Sequence, residues 1–363
     1  MSELRPAKEM NYREVRDELG AVMEKARKYM QPKCHVCRVC NSATCGASGG
    51  IGGTERRGTA ERNYEKLQQI HLTYDTIYEG GDGSEIDSSI TLFGHTFRAP
   101  IMAGPFGHVA SFNPSTHFVD DYEFTKALLD GTMAAGCFGW TPDTVGDDVF
   151  EGPLRCLKER GGIGIPAIKS WSAEEIRMKI RMAENAGVMA IGHDIDCVGL
   201  TYLSVNGKTK TYPKSAQQLK EIFSITDKPF ILKGIMTAAG AKKAIEAGAS
   251  GIVISNHGGN TMDQSLASIE VLQEIREAVG NKLTIIIDGG FRHGEDVYKA
   301  LALGADAVLI GRPYIIAAEG GEARGVELYT QKIIWELQNA MRMTGCRTLK
   351  DITRDKVVIS KEF

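Results

Sequence analysis

The sequence predicts an α/β protein built as an eight-fold barrel of alternating strands and helices, preceded by an N-terminal helical and cysteine-containing extension. Three observations carry that expectation. From residue 99 onward, short apolar runs alternate with helical-period segments of about 10–15 residues, the pattern of repeated βαβ units around a parallel sheet. Eight such runs are each followed by a helical segment, the count that closes a (β/α)8 TIM barrel. Several helical segments end in glycine, as in AENAG (183–187), IEAGA (245–249) and LALGA (301–305), where a left-handed C-cap stops the helix. A doubly wound open sheet is the alternative arrangement of the same elements. The units are too dissimilar in sequence for a solenoid.

The elements follow in order. Over residues 10–30, Tyr12, Val15, Leu19, Val22, Ala26 and Tyr29 fall on one helical face, and Pro32 ends the helix. A compact cysteine segment (34–45) and a glycine-rich stretch, ASGGIGG (47–53), come next. Residues 54–98 are polar and mixed, with a short strand expected around 90–93. Residues 1–98 therefore read as an extension and cap, and 99–363 as the barrel. The expected strands are APIMAG (99–104), GCFGW (136–140), GIGIPAI (162–168), VMAIGHDID (188–196), PFILKG (229–234), SGIVISN (250–256), LTIIIDGG (283–290) and DAVLIG (306–311). Helices are expected at 121–134, 147–160, 172–186, 215–224, 237–247, 265–279, 294–303 and 321–344.

Composition narrows the function. With 42% hydrophobic and 25% charged residues, the 363-residue chain can bury a large core, which excludes disorder. A net charge of −3 argues against nucleic acid or an anionic membrane as the main partner. No apolar run approaches the ~20 residues that span a bilayer, and MSELRPAKEM does not read as a signal peptide. The expected location is the cytoplasm. The eight cysteines are then expected to be reduced thiols, not a disulfide framework.

Chemistry in a barrel belongs at the C-terminal ends of its strands. There the fourth strand ends in His193, Asp194 and Asp196, and the fifth in Lys233. The sixth ends in Ser255, Asn256, His257, Gly258 and Gly259. The seventh ends in Asp288, Gly289, Gly290 and Arg292, and the eighth in Gly311 and Arg312. Backbone N–H groups of Gly289, Gly290 and Gly311 can approach an anion closely, and Arg292 and Arg312 add forked, charge-assisted hydrogen bonds. Tight βα turns alone would also use such glycines. The two Gly–Arg pairs fall after the seventh and eighth strands, where barrels hold phosphate, so a phosphate-bearing ligand is expected. Lys233 either pairs with Asp194 or Asp288 or faces a cofactor. His257, before two glycines, is a candidate base.

At these residues a family pattern emerges. KGIMTAAGAKKAIEAGASGIVISNHGG (233–259), DGGFRHGEDVYKALALGADAVLIGRPY (288–314) and TGCRTLKDITRD (344–355) resemble the FMN-dependent α-hydroxy-acid oxidase and dehydrogenase family, of the glycolate oxidase and lactate oxidase type. The resemblance is dense from about residue 229 onward, looser from 99 to 228, and absent around the cysteines. It implies that Lys233 lies near flavin N1/O2, that His257 is the general base, and that Asp194 orients that histidine. It implies further that Asp288, Gly289, Gly290, Arg292, Gly311 and Arg312 bind the ribityl phosphate. Gly104, Pro105 and Phe106 would pack the flavin ring, and Ser255 and Gly258 would contact the flavin. A homo-oligomer, tetramer or octamer, is implied as well.

The departures from the family concern the substrate. Asn260 and Leu200 stand where two family arginines grip the carboxylate, and Pro166 and Ile168 stand where a glutamine and a tyrosine end the third strand. No other side chain reproduces a guanidinium fork. A bulkier hydroxy acid or a different alcohol is therefore expected as substrate. Lys169 is the nearest replacement cation, and Trp140 and Trp171 are candidate pocket walls.

Cys34, Cys37, Cys40 and Cys45 form C-x2-C-x2-C-x4-C. The first spacings match an iron–sulfur run, a zinc knot is the next reading, and four reduced thiols the plain one. The leading expectation is an FMN-dependent oxidoreductase taking a 2-hydroxy acid or related secondary alcohol to the keto product, with O2, a quinone or a protein carrier as electron acceptor. An isomerase comparable to type 2 isopentenyl diphosphate isomerase and a non-catalytic flavin or metal sensor are the alternatives.

Overall fold

Residues 5–42, 45, 58–79, 86–146, 148–200, 203 and 211–360 are described in the structure, a computed structural model. The glycine-rich stretch 47–53 lies outside the described residues. Before the barrel come α1 (Tyr12–Met30), α2 (Gly58–Gln68), β1 (Ile70–Leu72) and a hairpin of β2 (Ile90–Leu92) and β3 (His95–Phe97). The barrel strands are β4 (Ile101–Ala103), β5 (Phe138–Thr141), β6 (Ile165–Lys169), β7 (Ile191–Asp194), β8 (Phe230–Ile235), β9 (Gly251–Ile254), β10 (Thr284–Ile287) and β11 (Ala307–Ile310). They pair in parallel, neighbour to neighbour, and β11 pairs back onto β4 to close the barrel. All eight expected strands are present; each starts later than its apolar run, and β5, β6 and β8 end one residue beyond it.

Both faces of such strands are covered, which is why they read as unbroken apolar runs. Alternate residues divide between two cores. Met102, Ile231, Val253, Ile286 and Leu309 fill the barrel interior. Ile252, Ile254, Ile285 and Ile287 point outward against the helices. The hairpin plugs the lower end: Leu92 and Phe97 join the interior core, with the Phe97 ring 4.3 Å from that of Phe138.

Trp140 belongs to this interior core, fully buried and away from the cavity wall. The expectation that it walls a substrate pocket is corrected accordingly. Gly192 makes the room, since a Cβ there would overlap the indole.

Between strands run α3 (Val109–Phe112), α4 (Asp121–Ala134), α5 (Asp148–Glu159), α6 (Ala173–Asn185), α7 (Ala216–Phe223), α8 (Ala238–Glu246), α9 (Ser268–Val279) and α10 (Gly294–Ala302). The last helix, α11 (Arg312–Met343), starts earlier than the sequence suggests and breaks at Glu322, where φ is 49°. A final strand, β12 (Val357–Ile359), pairs antiparallel with β1.

The N-terminal helix α1 is closed by a capping box between Asn11 and Glu14. It buries Val15, Leu19, Val22, Ala26 and Met30, while Tyr12 and Tyr29 sit half-buried at the edges. The stripe lies across α11 at its glycines: a Cβ on Gly320 would overlap the Val22 carbonyl. That close crossing explains why 320–321 are glycines. Gly320→Ala is expected to overpack the crossing at a cost of about 1–3 kcal/mol, read as a lower melting temperature in calorimetry. An unchanged melting temperature would show that α1 is not seated on this glycine.

Candidate active site

The C-terminal ends of the barrel strands open into a cavity of about 470 Å³, inside the roughly 300–1,000 Å³ range of cofactor and small-molecule sites. The wall is contributed strand by strand. Gly104, Pro105 and Phe106 follow β4, Lys169 ends β6, Asp194 ends β7, and Lys233 lies on β8. His257, Gly258 and Asn260 follow β9, Asp288, Gly289, Gly290 and Arg292 follow β10, and Gly311 and Arg312 follow β11. Ser255 stands just behind: its Oγ donates to Asp288 Oδ2 at 2.8 Å and accepts from the His257 N–H at 3.1 Å.

At the centre is a chain of buried charges. Asp194 accepts from Lys169 Nζ at 2.5 Å and from Lys233 Nζ at 3.3 Å. Burial alone would raise the Asp194 pKa, but the two ammoniums outweigh it and hold the carboxyl well below the usual range. Burial likewise works against Lys233, and Asp194, Asp196 and Asp288 prevail and raise it above the ordinary amine value. Both Asp196 and Asp288 are raised by burial. His193, packed inside at the end of β7, is lowered to about 4 by burial and stays neutral.

His257 itself has φ 57°, and Gly258 and Gly259 continue in the left-handed region. Strain of this kind concentrates at functional sites. The imidazole Nδ1 lies 2.9 Å from Asp196 Oδ1, 3.6 Å from Asp194 Oδ1 and 3.3 Å from Lys233 Nζ. Asp196 is thus the carboxylate nearer to the ring, and Asp194, to which the resemblance gives the orienting role, stands farther off. The cause is local. β7 stops at Asp194, and residues 195–199 turn into a 3-10 helix that brings Asp196 back over the strand ends. Gly234 makes room for it, since a Cβ there would stand 2.6 Å from the Asp196 Cβ.

Lys169 reaches the cavity and Ile168 does not: Ile168 packs outward in the helix-facing core, and Pro166 does not line the cavity. The rim position on the third barrel strand therefore carries an ammonium. Asp143 anchors this corner by accepting from the Lys169 N–H at 2.8 Å, the Trp171 indole at 2.7 Å and Lys179 Nζ at 2.5 Å. Trp171 is buried in that anchoring and is not a pocket wall. Leu200 and Asn260 also line the cavity. Among the described residues, three buried acceptors, Asp196 Oδ2, Asn260 Oδ1 and Asp288 Oδ1, have no partner.

At the other end, Arg292 Nε donates to the Cys40 carbonyl at 3.1 Å, and Arg312 donates to Ser42 Oγ at 2.8 Å and to the Gly258 carbonyl at 2.5 Å. Gly311 faces open space. Gly289 and Gly290, with φ of 100° and 90°, have a second reason to be glycine: α2 lies on them, and a Cβ on either would meet Asn63. Asn63 and Asn256 exchange reciprocal amide hydrogen bonds of 2.8 and 2.9 Å. Sequence reasoning missed α2 as part of the site.

The cysteine segment borders this anion end. The Val36 N–H donates to Cys34 Sγ at 3.4 Å. Burial pushes the Cys34 thiol up to about 11. Burial also opposes ionisation of Cys40, yet Arg292 and Arg312 bring it below the usual thiol value. Among the described residues there is no disulfide, and no three of the four sulfurs lie within 4.8 Å of one another.

An α/β barrel with an anion cradle after its last two strands and a lysine–histidine–carboxylate group after the preceding ones is built for a phosphate-bearing cofactor and proton transfer. The chain belongs to the FMN-dependent dehydrogenase family, whose model matches residues 50–134 and 203–359. A peroxisomal (S)-2-hydroxyacid oxidase of Arabidopsis thaliana is 30% identical over 349 residues, 86% of this chain and 91% of the relative. An L-lactate oxidase of Lactobacillus jensenii is 41% identical over 162 residues, 45% of this chain and 39% of that protein. A solved structure of a mandelate oxidase variant with (S)-mandelic acid superposes with a TM-score of 0.76 at 25% identity, over 95% of this chain and 98% of that one. The protein is an FMN-dependent oxidoreductase. These findings favour that reading over the isomerase and the sensor.

The residues present fit FMN. Arg292, Arg312 and the open Gly311 backbone suit its phosphate. Asp288, a carboxylate whose Oδ1 has no partner among the described residues, suits ribityl hydroxyl donors better than the phosphate to which the resemblance assigned it. No helix among the described residues is long and apolar enough to cross a membrane.

Proposed function

We propose that this protein oxidises a 2-hydroxy acid to its keto acid, with Lys169 as the carboxylate anchor. The observation that carries this reading is the buried Lys169–Asp194 pair on the cavity wall beside the His257–Asp196 dyad. When bound, FMN supplies the two-electron acceptor for the hydride equivalent leaving the carbinol carbon. The protein supplies the proton chemistry. The His257 Nδ1–H donates to Asp196, which fixes the tautomer and leaves Nε2 as the base that accepts the carbinol proton. Asp196 then stabilises the imidazolium that forms. Lys233, an ammonium at the strand end, places positive charge where the reduced cofactor would gather negative charge.

On the substrate side, Asn260 and Leu200 offer no cation, and Lys169 brings one. Asp194 holds that ammonium in place, and the Asn260 amide can donate a second hydrogen bond to the carboxylate. A point charge with one neutral helper grips less tightly than two guanidinium forks. Substrates with apolar surface beyond the carboxylate are therefore favoured over glycolate.

The second proposal concerns the cysteines: Cys34, Cys37, Cys40 and Cys45 bind a thiophilic metal, as zinc or an iron–sulfur cluster. The C-x2-C-x2-C-x4-C spacing and the Val36 N–H donated to Cys34 Sγ support it.

The test of the main reading is anaerobic titration of the FMN-loaded protein with a panel of (S)-2-hydroxy acids and their neutral amide or alcohol counterparts. Hydroxy acids are expected to bleach the flavin absorbance and the neutral compounds to bleach it poorly. Equal bleaching by both sets, or by neither, would overturn it.

A further inference from the structure

The cysteine segment does not stand apart from the barrel. Its Cys40 carbonyl accepts from Arg292 at 3.1 Å, and its Ser42 hydroxyl, buried, accepts from Arg312 at 2.8 Å. Each of these two residues thus restrains one of the guanidiniums that face the cavity after β10 and β11. At the other end, the Cys34 N–H donates to the Met30 carbonyl at 2.8 Å, which ties the segment to α1.

Within the segment one turn occurs twice. The residue two positions after Cys34 and the one two positions after Cys40, Val36 and Ser42, both have positive φ, 48° and 71°, and the Val36 N–H donates to Cys34 Sγ at 3.4 Å. A β-branched residue such as Val36 rarely adopts that conformation. The same turn after two cysteines, with an amide directed at the first sulfur, in a stretch that holds four cysteines, forms an arrangement suited to ligating thiolates.

We propose that a metal held by Cys34, Cys37, Cys40 and Cys45 tightens FMN binding, because closing the four sulfurs on one centre fixes the segment that orients Arg292 and Arg312. This inference rests on the metal reading above. Its physical basis is preorganisation. Without metal, ordering the segment falls to FMN itself and weakens its binding; with metal, the two phosphate ligands are already held. Zinc and an iron–sulfur cluster share this tetrathiolate chemistry. Linkage requires FMN to tighten the metal by the same factor.

The full-length protein, purified anaerobically, is analysed for zinc, iron and acid-labile sulfide. It is then stripped with a chelator and titrated with FMN, following flavin fluorescence. Parallel samples are reloaded with Zn2+ alone, or with ferrous iron and sulfide. One reload is expected to restore the metal and to tighten FMN by about tenfold or more, within the ~5–150-fold span of allosteric couplings. Chelator competition with and without FMN should return the same factor.

In Arg292→Ala/Arg312→Ala the metal should still bind and the coupling should vanish. Cys37→Ser/Cys45→Ser should take up no metal and hold FMN at the stripped affinity. Stoichiometric metal with unchanged FMN affinity would overturn the coupling and leave the metal reading intact. Metal uptake in neither arm would overturn both, and the oxidation of hydroxy acids would stand independently of them.

Discussion

His257→Gln leaves FMN bound and slows anaerobic flavin bleaching by substrate by about 10²–10⁴-fold, the usual contribution of a positioned general base. Glutamine is close to the imidazole in size and can still donate to Asp196, so the strand end keeps its packing. What it lacks is a nitrogen that accepts a proton near neutral pH. Asp196→Asn should slow bleaching as well, because an amide cannot stabilise the imidazolium 2.9 Å away. Asp194→Asn should slow it less, since Asp194 lies 3.6 Å from the ring and its closer partner is Lys169. Stopped-flow reduction across the three variants orders them. A rate for His257→Gln equal to that of the native protein would remove the histidine from the mechanism. A larger loss in Asp194→Asn than in Asp196→Asn would return the orienting role to Asp194.

Lys169→Met is expected to lower kcat/KM for a 2-hydroxy acid by about 10–150-fold. That factor corresponds to losing one charged hydrogen bond of about 1.5–3 kcal/mol, at about tenfold per 1.4 kcal/mol. For a neutral secondary alcohol of the same shape the change should be small. The single variant also leaves Asp194 with one ammonium fewer in a buried place, which is destabilising in its own right. The paired variant Lys169→Met/Asp194→Asn removes both charges and separates the two effects. If it discriminates acid from alcohol as the native protein does, the carboxylate is held elsewhere. Lys169→Arg should retain part of the discrimination.

The barrel was legible because its strands are buried on both faces and its helices end in glycine, signals that need no tertiary context. His257, Lys233, Arg292 and Arg312 were legible because they stand where runs of apolar residues stop. The errors share one cause. Period-2 alternation says which residues share a face but not where a strand ends, so the orienting role went to Asp194 by resemblance and the 3-10 turn that brings Asp196 nearer the ring was not visible. One residue of register decides that Lys169 lines the cavity and Ile168 faces the helices. Trp140 sat near a strand end in sequence, yet it fills the interior opposite Gly192, a pairing no local pattern reveals. The helix α2 went unseen because it buries Thr59 and Asn63 beside only Ala60 and Leu67, which leaves no apolar period to detect.

That same helix has a consequence for synthesis. Its Asn63 finds its partner Asn256 193 positions later in the chain. At the ~5–20 residues per second of translation, the earlier amide waits on the order of 10–40 s for the later one to be made. During that interval the helix has no glycine shelf to rest on, because Gly259, Gly289 and Gly290 are also still to come. The cofactor pocket is therefore a late product of biogenesis. It forms only after the sixth and seventh strands have emerged and a segment made well before them has been called back to cover them.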